Sequence, residues 1–326
     1  MARRLKIARK TAVAPAGAAL LLGLALGLAV GARRGVPFVG NSRAWSIGVY
    51  AGPSPLEVVP AEGITNPVLT AADVTDADAV FVADPFLVRA GDDWCMFFEV
   101  LKKDTGKGAI GLATSSDGLC WTYQQIVLEE PFHLSYPCVF EYAGDWYMVP
   151  ESHEAGEVRL YRASEFPTRW EYEATLLDEP YVDSTVFQHA GSWWMFTSLG
   201  AEMLKLYWAE EPAGPWTEHP QSPLILADPH ITRAGGRVLA VEGKLYRLAQ
   251  DTVPTYGNQV RAFEITELTR TTYAEREAPN NPVIGQTGSG WNGLGMHQLD
   301  ALPRDDGGWI AAVDGYGDKL VYGWRY

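Results

Sequence analysis

After residue 40 the apolar positions of this chain do not recur with a helical period; they come in short runs separated by glycine-bearing turns. One phrase repeats. Ala90-Gly91-Asp92-Asp93-Trp94-Cys95-Met96-Phe97-Phe98-Glu99 returns as Ala143-Gly144-Asp145-Trp146-Tyr147-Met148-Val149-Pro150-Glu151 and as Ala190-Gly191-Ser192-Trp193-Trp194-Met195-Phe196-Thr197-Ser198. Looser copies run from Glu242 to Gln250 and from Asp306 to Asp314. Glycine supplies the positive φ of each turn, and the aromatic run after it has the length and composition of a strand. The steps between copies are 53, 47, 52 and 64 residues, a spacing that belongs to propellers and other repeat folds.

Each copy predicts four strands. An apolar run precedes the turn in the first three copies (Pro85–Val88, Pro137–Phe140, Ser184–Phe187). A third run follows, as at Ile110–Ala113, Val158–Tyr161, Leu204–Tyr207, Val260–Phe263 and Leu320–Gly323. A fourth opens on Trp121, Trp170, Trp216 or Tyr273. Four strands repeated five times predict an all-β, five-bladed propeller, with Trp45–Tyr50 expected to supply the strand the last copy lacks and close the ring.

The N-terminus follows another pattern. Arg3, Arg4, Lys6, Arg9 and Lys10 precede an uncharged stretch over residues 11–32, and Arg33-Arg34 close it. Twenty-two uncharged residues suffice for one transmembrane helix, and the charge asymmetry predicts a cytoplasmic N-terminus with the propeller outside. Cleavage after Val30-Gly31-Ala32, giving a secreted chain, is the alternative. The expected organisation is a basic tail and signal-anchor over 1–34, a linker over 35–44 and the propeller over 45–326.

Composition narrows the chemistry. Hydrophobic residues make up 47% of the 326, enough for a large core. Beyond residue 34 the chain carries 19 basic and 40 acidic residues, a surface that repels nucleic acid and anionic partners. Cys95, Cys120 and Cys138 are odd in number; Cys95 and Cys138 fall in strands and read as small core residues. No phosphate loop, metal-spaced His/Cys set or nucleophile elbow occurs, and no cofactor is expected.

In a propeller, the starts of the first strands and the ends of the second strands meet at one face. Those positions are Asp84, Tyr136 (with His133 and Ser135), Asp183, the Arg233–Gly236 stretch and the segment around His297, then Glu99, Glu151, Ser198, Gln250 and Asp314. Asp84 stands where other copies carry unrelated side chains, so folding does not demand its carboxylate. Clustered carboxylates whose repulsion separates their pKa values suit acid–base work on a glycosidic bond. Tyr136, Trp291 and Tyr316 offer rings for sugar stacking, and His297 could help hold a cation in the channel, although a lone histidine is more often a hydrogen-bonding residue.

These residues carry a family resemblance. Val82-Ala83-Asp84-Pro85-Phe86 resembles the first blade of five-bladed glycosidases of the arabinanase and xylosidase type (glycoside hydrolase family 43). His133-Leu134-Ser135-Tyr136-Pro137, Met148-Val149-Pro150-Glu151-Ser152, Gly214-Pro215-Trp216 and Leu245-Tyr246-Arg247 are similar to the N-terminal propeller domain of plant glucosamine inositolphosphorylceramide transferases and their bacterial relatives, over residues 80–278. The first resemblance implies Asp84 as general base and Asp183 as the aspartate that orients and tunes the acid. It places the acid at the start of the fourth blade, where this chain has Ile231-Thr232-Arg233-Ala234-Gly235-Gly236-Arg237 and no carboxylate. The acid is then Glu151 or Glu99, or is absent. The second resemblance implies that sugar transfer belongs to a separate C-terminal domain not found in these residues.

Two functions follow. One is an extracytoplasmic glycosidase-like enzyme on glycans or glycolipids, with Asp84, Asp183 and Glu151 catalytic and Glu99, His133, Tyr136, Arg233, Arg237, Gln250 and His297 binding substrate. The other is a non-catalytic glycan- or glycolipid-binding propeller serving a glycosyltransferase or envelope-assembly partner, with Arg233 or Arg237 clamping an anionic group.

Overall fold

A computed structural model describes residues 39–42, 44–317 and 319–322, and Gly23 upstream of them. The expected anchor over residues 11–32 lies outside the described residues apart from that glycine, and among the described residues no helix is long and apolar enough to cross a membrane.

Residues Ala44–Gly317 form the five blades of the propeller. Blade I is Ala79–Ala90, Asp93–Lys102, Gly108–Ser115 and Thr122–Leu128. Blade II is Ser135–Tyr142, Asp145–Glu151, Val158–Glu165 and Arg169–Leu177. Blade III opens with Val182–His189, Ser192–Leu199 and Met203–Ala209, and blade IV has Arg233–Ala234 and Leu239–Val241 on Lys244–Asp251, then Gln259–Leu268 and Tyr273–Glu277. Every strand pairing in these sheets is antiparallel.

Blade V closes the ring, and here the expectation needs correction. Leu299–Pro303 and Trp309–Tyr316 are its first two strands, but the N-terminal segment contributes both others, Trp45–Ser54 and Glu57–Pro60. Leu320–Gly323 is not its third strand. Lys319–Tyr322 instead pairs with Val39–Ser42 in a separate two-stranded ribbon, which places a strand in the expected linker. The long register from Trp45 opposite Tyr316 to Gly52 opposite Trp309 outcompetes the C-terminal run for that edge.

Sandwiched sheets explain why the runs look continuously apolar. Along the second strand of blade I, Trp94, Met96, Phe98 and Val100 enter the cluster shared with Ile47, Val49 and Ile310 of blade V. Cys95 and Phe97, pointing the other way, enter the cluster with Leu134, Val139 and Met148 of blade II. The same alternation sends Trp193 and Met195 toward blade II and Trp194 and Phe196 toward blade IV. These second strands are buried on both faces, so their period of two is written apolar against apolar. Burying a side chain such as Phe97 contributes about 1.5–3 kcal/mol. The indoles that open the fourth strands fasten the outer turns: Trp121, Trp170 and Trp216 donate from Nε1 to the carbonyls of Gly118, Pro167 and Pro212. All three cysteines are unpaired, Cys95 and Cys138 in the core.

Candidate active site

The site begins with a backbone device repeated in three blades. The first-strand register slips between Ala83 and Phe86, between Ser135 and Cys138, and between Val182 and Thr185. The first residue of each slip takes a left-handed conformation, with φ of 54° at Asp84, 44° at Tyr136 and 50° at Asp183. Non-glycine residues adopt that region at a cost, and such bulges commonly re-aim a side chain. In blade IV the corresponding stretch carries Gly236 at φ 141°, where a Cβ would stand 1.9 Å from the Leu299 carbonyl oxygen. Opposite the slips, Ala83, Ser135, Val182 and Arg233 pair with Glu99, Glu151, Ser198 and Gln250, so these second-strand ends sit beside the bulges.

All five blades contribute to one polar cluster. Asp84 accepts from the Tyr136 amide at 3.3 Å, and its own amide donates to Asp314 Oδ2 at 3.1 Å. Asp314 is fully buried. Its Oδ1 accepts from the amides of His297 and Gln298, and its Oδ2 lies 2.7 Å from His297 Nδ1. His297 Nε2 stands 3.6 Å from Asp84 Oδ1, and its ring stacks on Trp45 at 3.9 Å between centroids. The fifth blade thereby aims an imidazole at the first blade's carboxylate. Arg233 joins the other side, donating from Nε to Asp183 and standing 3.5 Å from Glu151 Oε2, with Tyr256 over its guanidinium.

Burial and neighbouring charges together separate the acids. Burial pushes Asp84 up to about 7; Asp314 and Asp183 add to the rise, while His297 and Arg233 oppose it. Burial lifts Asp183 to about 6 against the pull of Arg233. Glu99 is raised well above the usual carboxylate range, by burial and then by repulsion from Asp84, Glu151, Asp314 and Asp183. Glu151 goes the other way. Burial would raise it, but a hydrogen bond with His153 and the charge of Arg233 together hold it below its ordinary value. His297 is raised because Asp314 and Asp84 outweigh the burial that would neutralise it.

His133 completes the blade I side. The Gly108 amide donates to its Nδ1 at 2.9 Å, which leaves the proton on Nε2, 3.3 Å from Glu99 Oε1. A Cβ at Gly108 would approach the Leu134 carbonyl oxygen to 2.2 Å, so glycine permits this contact. Burial lowers the pKa of His133.

Seven of the ten expected site residues thus meet: Asp84, Glu99, His133, Glu151, Asp183, Arg233 and His297. Gln250 is buried beside Arg233 in the register, and its Oε1, like Ser198 Oγ and Gln298 Nε2, has no hydrogen-bond partner among the described residues. Buried polar atoms of this kind need water or a ligand.

Two expectations fail. Tyr136 does not present its ring to a sugar; it is 1% exposed, and its hydroxyl bonds Thr185 at 2.7 Å and the Gly236 carbonyl at 2.9 Å, bridging blades II, III and IV. The bulge turns its side chain into the core rather than out of it. Tyr316 is equally buried. Arg237 is bound to Asp300 and to the Leu87 carbonyl, at the other end of the first strands, and lines a cavity of about 490 Å³ with Val139, Phe140 and Leu302. Its residue neighbours place it in the lattice that holds blades I, IV and V together.

Asp84, His297 and Asp314 also bring one ligand-type atom each within 4.8 Å of one another. Asp314 has both oxygens engaged by amides and imidazole, so Asp84 Oδ1 and His297 Nε2 are what remains for a channel cation. His153 was missed. It follows Glu151 by two residues, outside the repeated phrase, and its Nδ1 lies 2.8 Å from Glu151 Oε1. Its one sequence signal is that short spacing.

Residues 39–316 match the family model described as "Glucosamine inositolphosphorylceramide transferase 1, N-terminal". The chain is 40% identical over 353 residues to the Glucosamine inositolphosphorylceramide transferase 1 of Oryza sativa subsp. japonica, covering 96% of this chain and 47% of that protein. To the protein of the same name from Arabidopsis thaliana it is 38% identical over 307 residues, covering 87% and 40%. The chain therefore spans about half the length, or less, of these plant relatives. Among solved structures it resembles the catalytic domain of the Coprinopsis cinerea GH62 α-L-arabinofuranosidase (TM-score 0.55, 14% identity, 78% of this chain and 84% of that one). It also resembles an exo-β-1,3-galactanase from Clostridium thermocellum (TM-score 0.52, 13% identity, 66% and 56%). At these identities the likeness is one of fold.

Proposed function

This chain belongs to the glucosamine inositolphosphorylceramide transferase 1 N-terminal family, and from that premise we propose that its propeller processes carbohydrate, hydrolysing a glycosidic bond in a glycan or glycolipid head group. One observation carries the reading: a buried cluster fed by all five blades, in which burial, with repulsion from Asp314 and Asp183, pushes Asp84 up to about 7. A carboxylate so poised is matched to accepting a proton from water near neutrality. In this reading Asp84 is the general base, fixed by the Tyr136 amide and flanked by His297. Asp183, tied to Arg233, holds the opposite wall. Ser198 Oγ and Gln250 Oε1, buried and without a partner among the described residues, would bond sugar hydroxyls.

A non-catalytic glycan- or glycolipid-binding module, working beside a glycosyltransferase, is the second reading. Arg233 favours it, because a cation stands where the hydrolase resemblance puts the acid. A panel of furanosyl and pyranosyl aryl glycosides separates the two. The hydrolase reading expects turnover that Asp84→Asn lowers by roughly 10²–10⁴-fold with the fold intact. The binding reading expects no turnover and a change in glycan affinity of about 1–3 kcal/mol.

We also propose that residues 11–32 anchor the chain, with the propeller outside the cytoplasm. The uncharged stretch and its flanking charges support this. Recovery of the full-length chain in the soluble cytosolic fraction would contradict it, and a mature N-terminus near Arg33 would favour cleavage instead.

A further inference from the structure

Hydrolysis needs a proton donor as well as a base, and neither carboxyl expected for that role is suited to it. Glu151 is 5% exposed, with Oε1 2.8 Å from His153 Nδ1 and Oε2 3.5 Å from Arg233 Nη2. The hydrogen bond with His153 and the charge of Arg233 hold its pKa below the ordinary carboxylate value, which disfavours the protonated form a donor needs. Burial raises the pKa of Glu99 well above the ordinary value, but its side chain is 7% exposed and lies among the other carboxylates and His133. A donor that gives up its proton each turnover must be recharged from solvent.

His153 meets that requirement. It heads the short 3-10 turn His153–Ala155, which Gly156 ends in the left-handed region, and its side chain is 42% exposed. Nδ1 is fixed by Glu151, and Nε2 has no hydrogen-bond partner among the described residues. The buried carboxylate sets the ring as an aspartate sets a catalytic imidazole. Resting on the hydrolase reading, we propose that His153, oriented by Glu151, is the catalytic residue that protonates the leaving oxygen. The glycosidic C–O bond breaks as the proton leaves Nε2 for that oxygen. The water oxygen bonds the anomeric carbon and passes a proton to Asp84, and solvent then reloads His153 and unloads Asp84.

The surrounding charges agree. The hydrogen bond to Glu151 raises the pKa of His153, partial burial opposes it, and the charges of Glu151 and Glu154 raise it further against Arg233. His133 and Lys107 stand on the adjoining loops, with Lys107 3.5 Å from Glu154. His153 is therefore protonated below its raised pKa, and the donor is lost as pH climbs through that value.

The test uses the full chain with phenyl and 2,4-dinitrophenyl glycosides. His153→Gln should lose roughly 10²–10⁴-fold on the phenyl glycoside, which needs an acid, and stay near wild type on the dinitrophenyl one. The alkaline limb of its pH–rate profile should vanish. Equal rates for wild type and His153→Gln on both, or a leaving-group-dependent loss in Glu99→Gln instead, overturns the proposal. Absence of turnover in the wild type itself refutes the hydrolase reading and takes this donor with it. A second readout needs no substrate: by NMR the His153 imidazole should titrate above about 6.5 and fall in Glu151→Gln. Titration at or below the ordinary value overturns the assignment even if hydrolysis is found.

Discussion

The Nε of Arg233, in the fourth blade, donates to Asp183 Oδ2 in the third, so a cation from one blade neutralises the bulge carboxylate of the next. The arginine side chain is 20% exposed and also faces Glu151. Removing it leaves Asp183 without its counter-charge and Glu151 with His153 alone. Arg233→Met is expected to cost about 3–5 kcal/mol near neutral pH, the range for breaking a buried pair from one side. The loss should shrink toward pH 5, as Asp183 and Glu151 take up protons. Urea unfolding at the two pH values checks it; a loss independent of pH would contradict it.

Asp84 carries a stability cost as well as a proposed role. Its pKa, near 3.9 when unfolded, is raised to about 7 in the native protein. Between those values the native state binds the extra proton, so this group's contribution to stability falls as pH rises and levels off above about 7. Asp84→Asn should flatten that decline and raise the melting temperature at pH 8, while keeping the Tyr136 amide contact through its side-chain oxygen. Melting curves from pH 4 to 8 measure the difference in slope. A variant less stable than wild type at pH 8 would oppose the account.

Asp314 holds blades V and I together through hydrogen bonds rather than packing. It accepts from the amides of Asp84, His297 and Gln298 and binds the His297 ring. Asp314→Ala orphans three buried donors, each costing about 1–3 kcal/mol, and should be among the most damaging single changes. Asp314→Asn keeps an acceptor and should cost less. In both, His297 should titrate lower than in wild type, because the charge that raises it is gone.

Tyr136 supplies a test of the corrected site. Tyr136→Phe removes the hydroxyl shared by Thr185 and Gly236 and should destabilise by about 1–3 kcal/mol. Glycan affinity or turnover should not change, because the ring is in the core and the amide that binds Asp84 is kept. A selective loss of affinity in a stable Tyr136→Phe protein would return its ring to the binding surface.

By itself, the sequence determined the five blades. The turn-plus-aromatic phrase at 90, 143, 190, 242 and 306 is local, and each copy carries the glycine and the strand composition its hairpin needs. The repeat also brought Asp84, Asp183, Glu99, Glu151 and Asp314 to matched positions, because antiparallel strands return to the face they leave. Tertiary structure alone decided which N-terminal strands close the ring, since the run at 320–322 and the run at 45–50 are equally good strands and only long-range pairing chooses between them. It also decided where side chains point. The bulges turn Asp84 and Asp183 into the cluster and Tyr136 into the core, although all three share one position and one backbone conformation. The protonation pattern was likewise beyond reach of the sequence. Glu99 and Glu151 end equivalent strands, yet burial and then repulsion from the neighbouring acids raise the first, while His153 and Arg233 hold the second below its ordinary value. Electrostatic energy depends on distances across blades, and those distances exist only once the ring has closed.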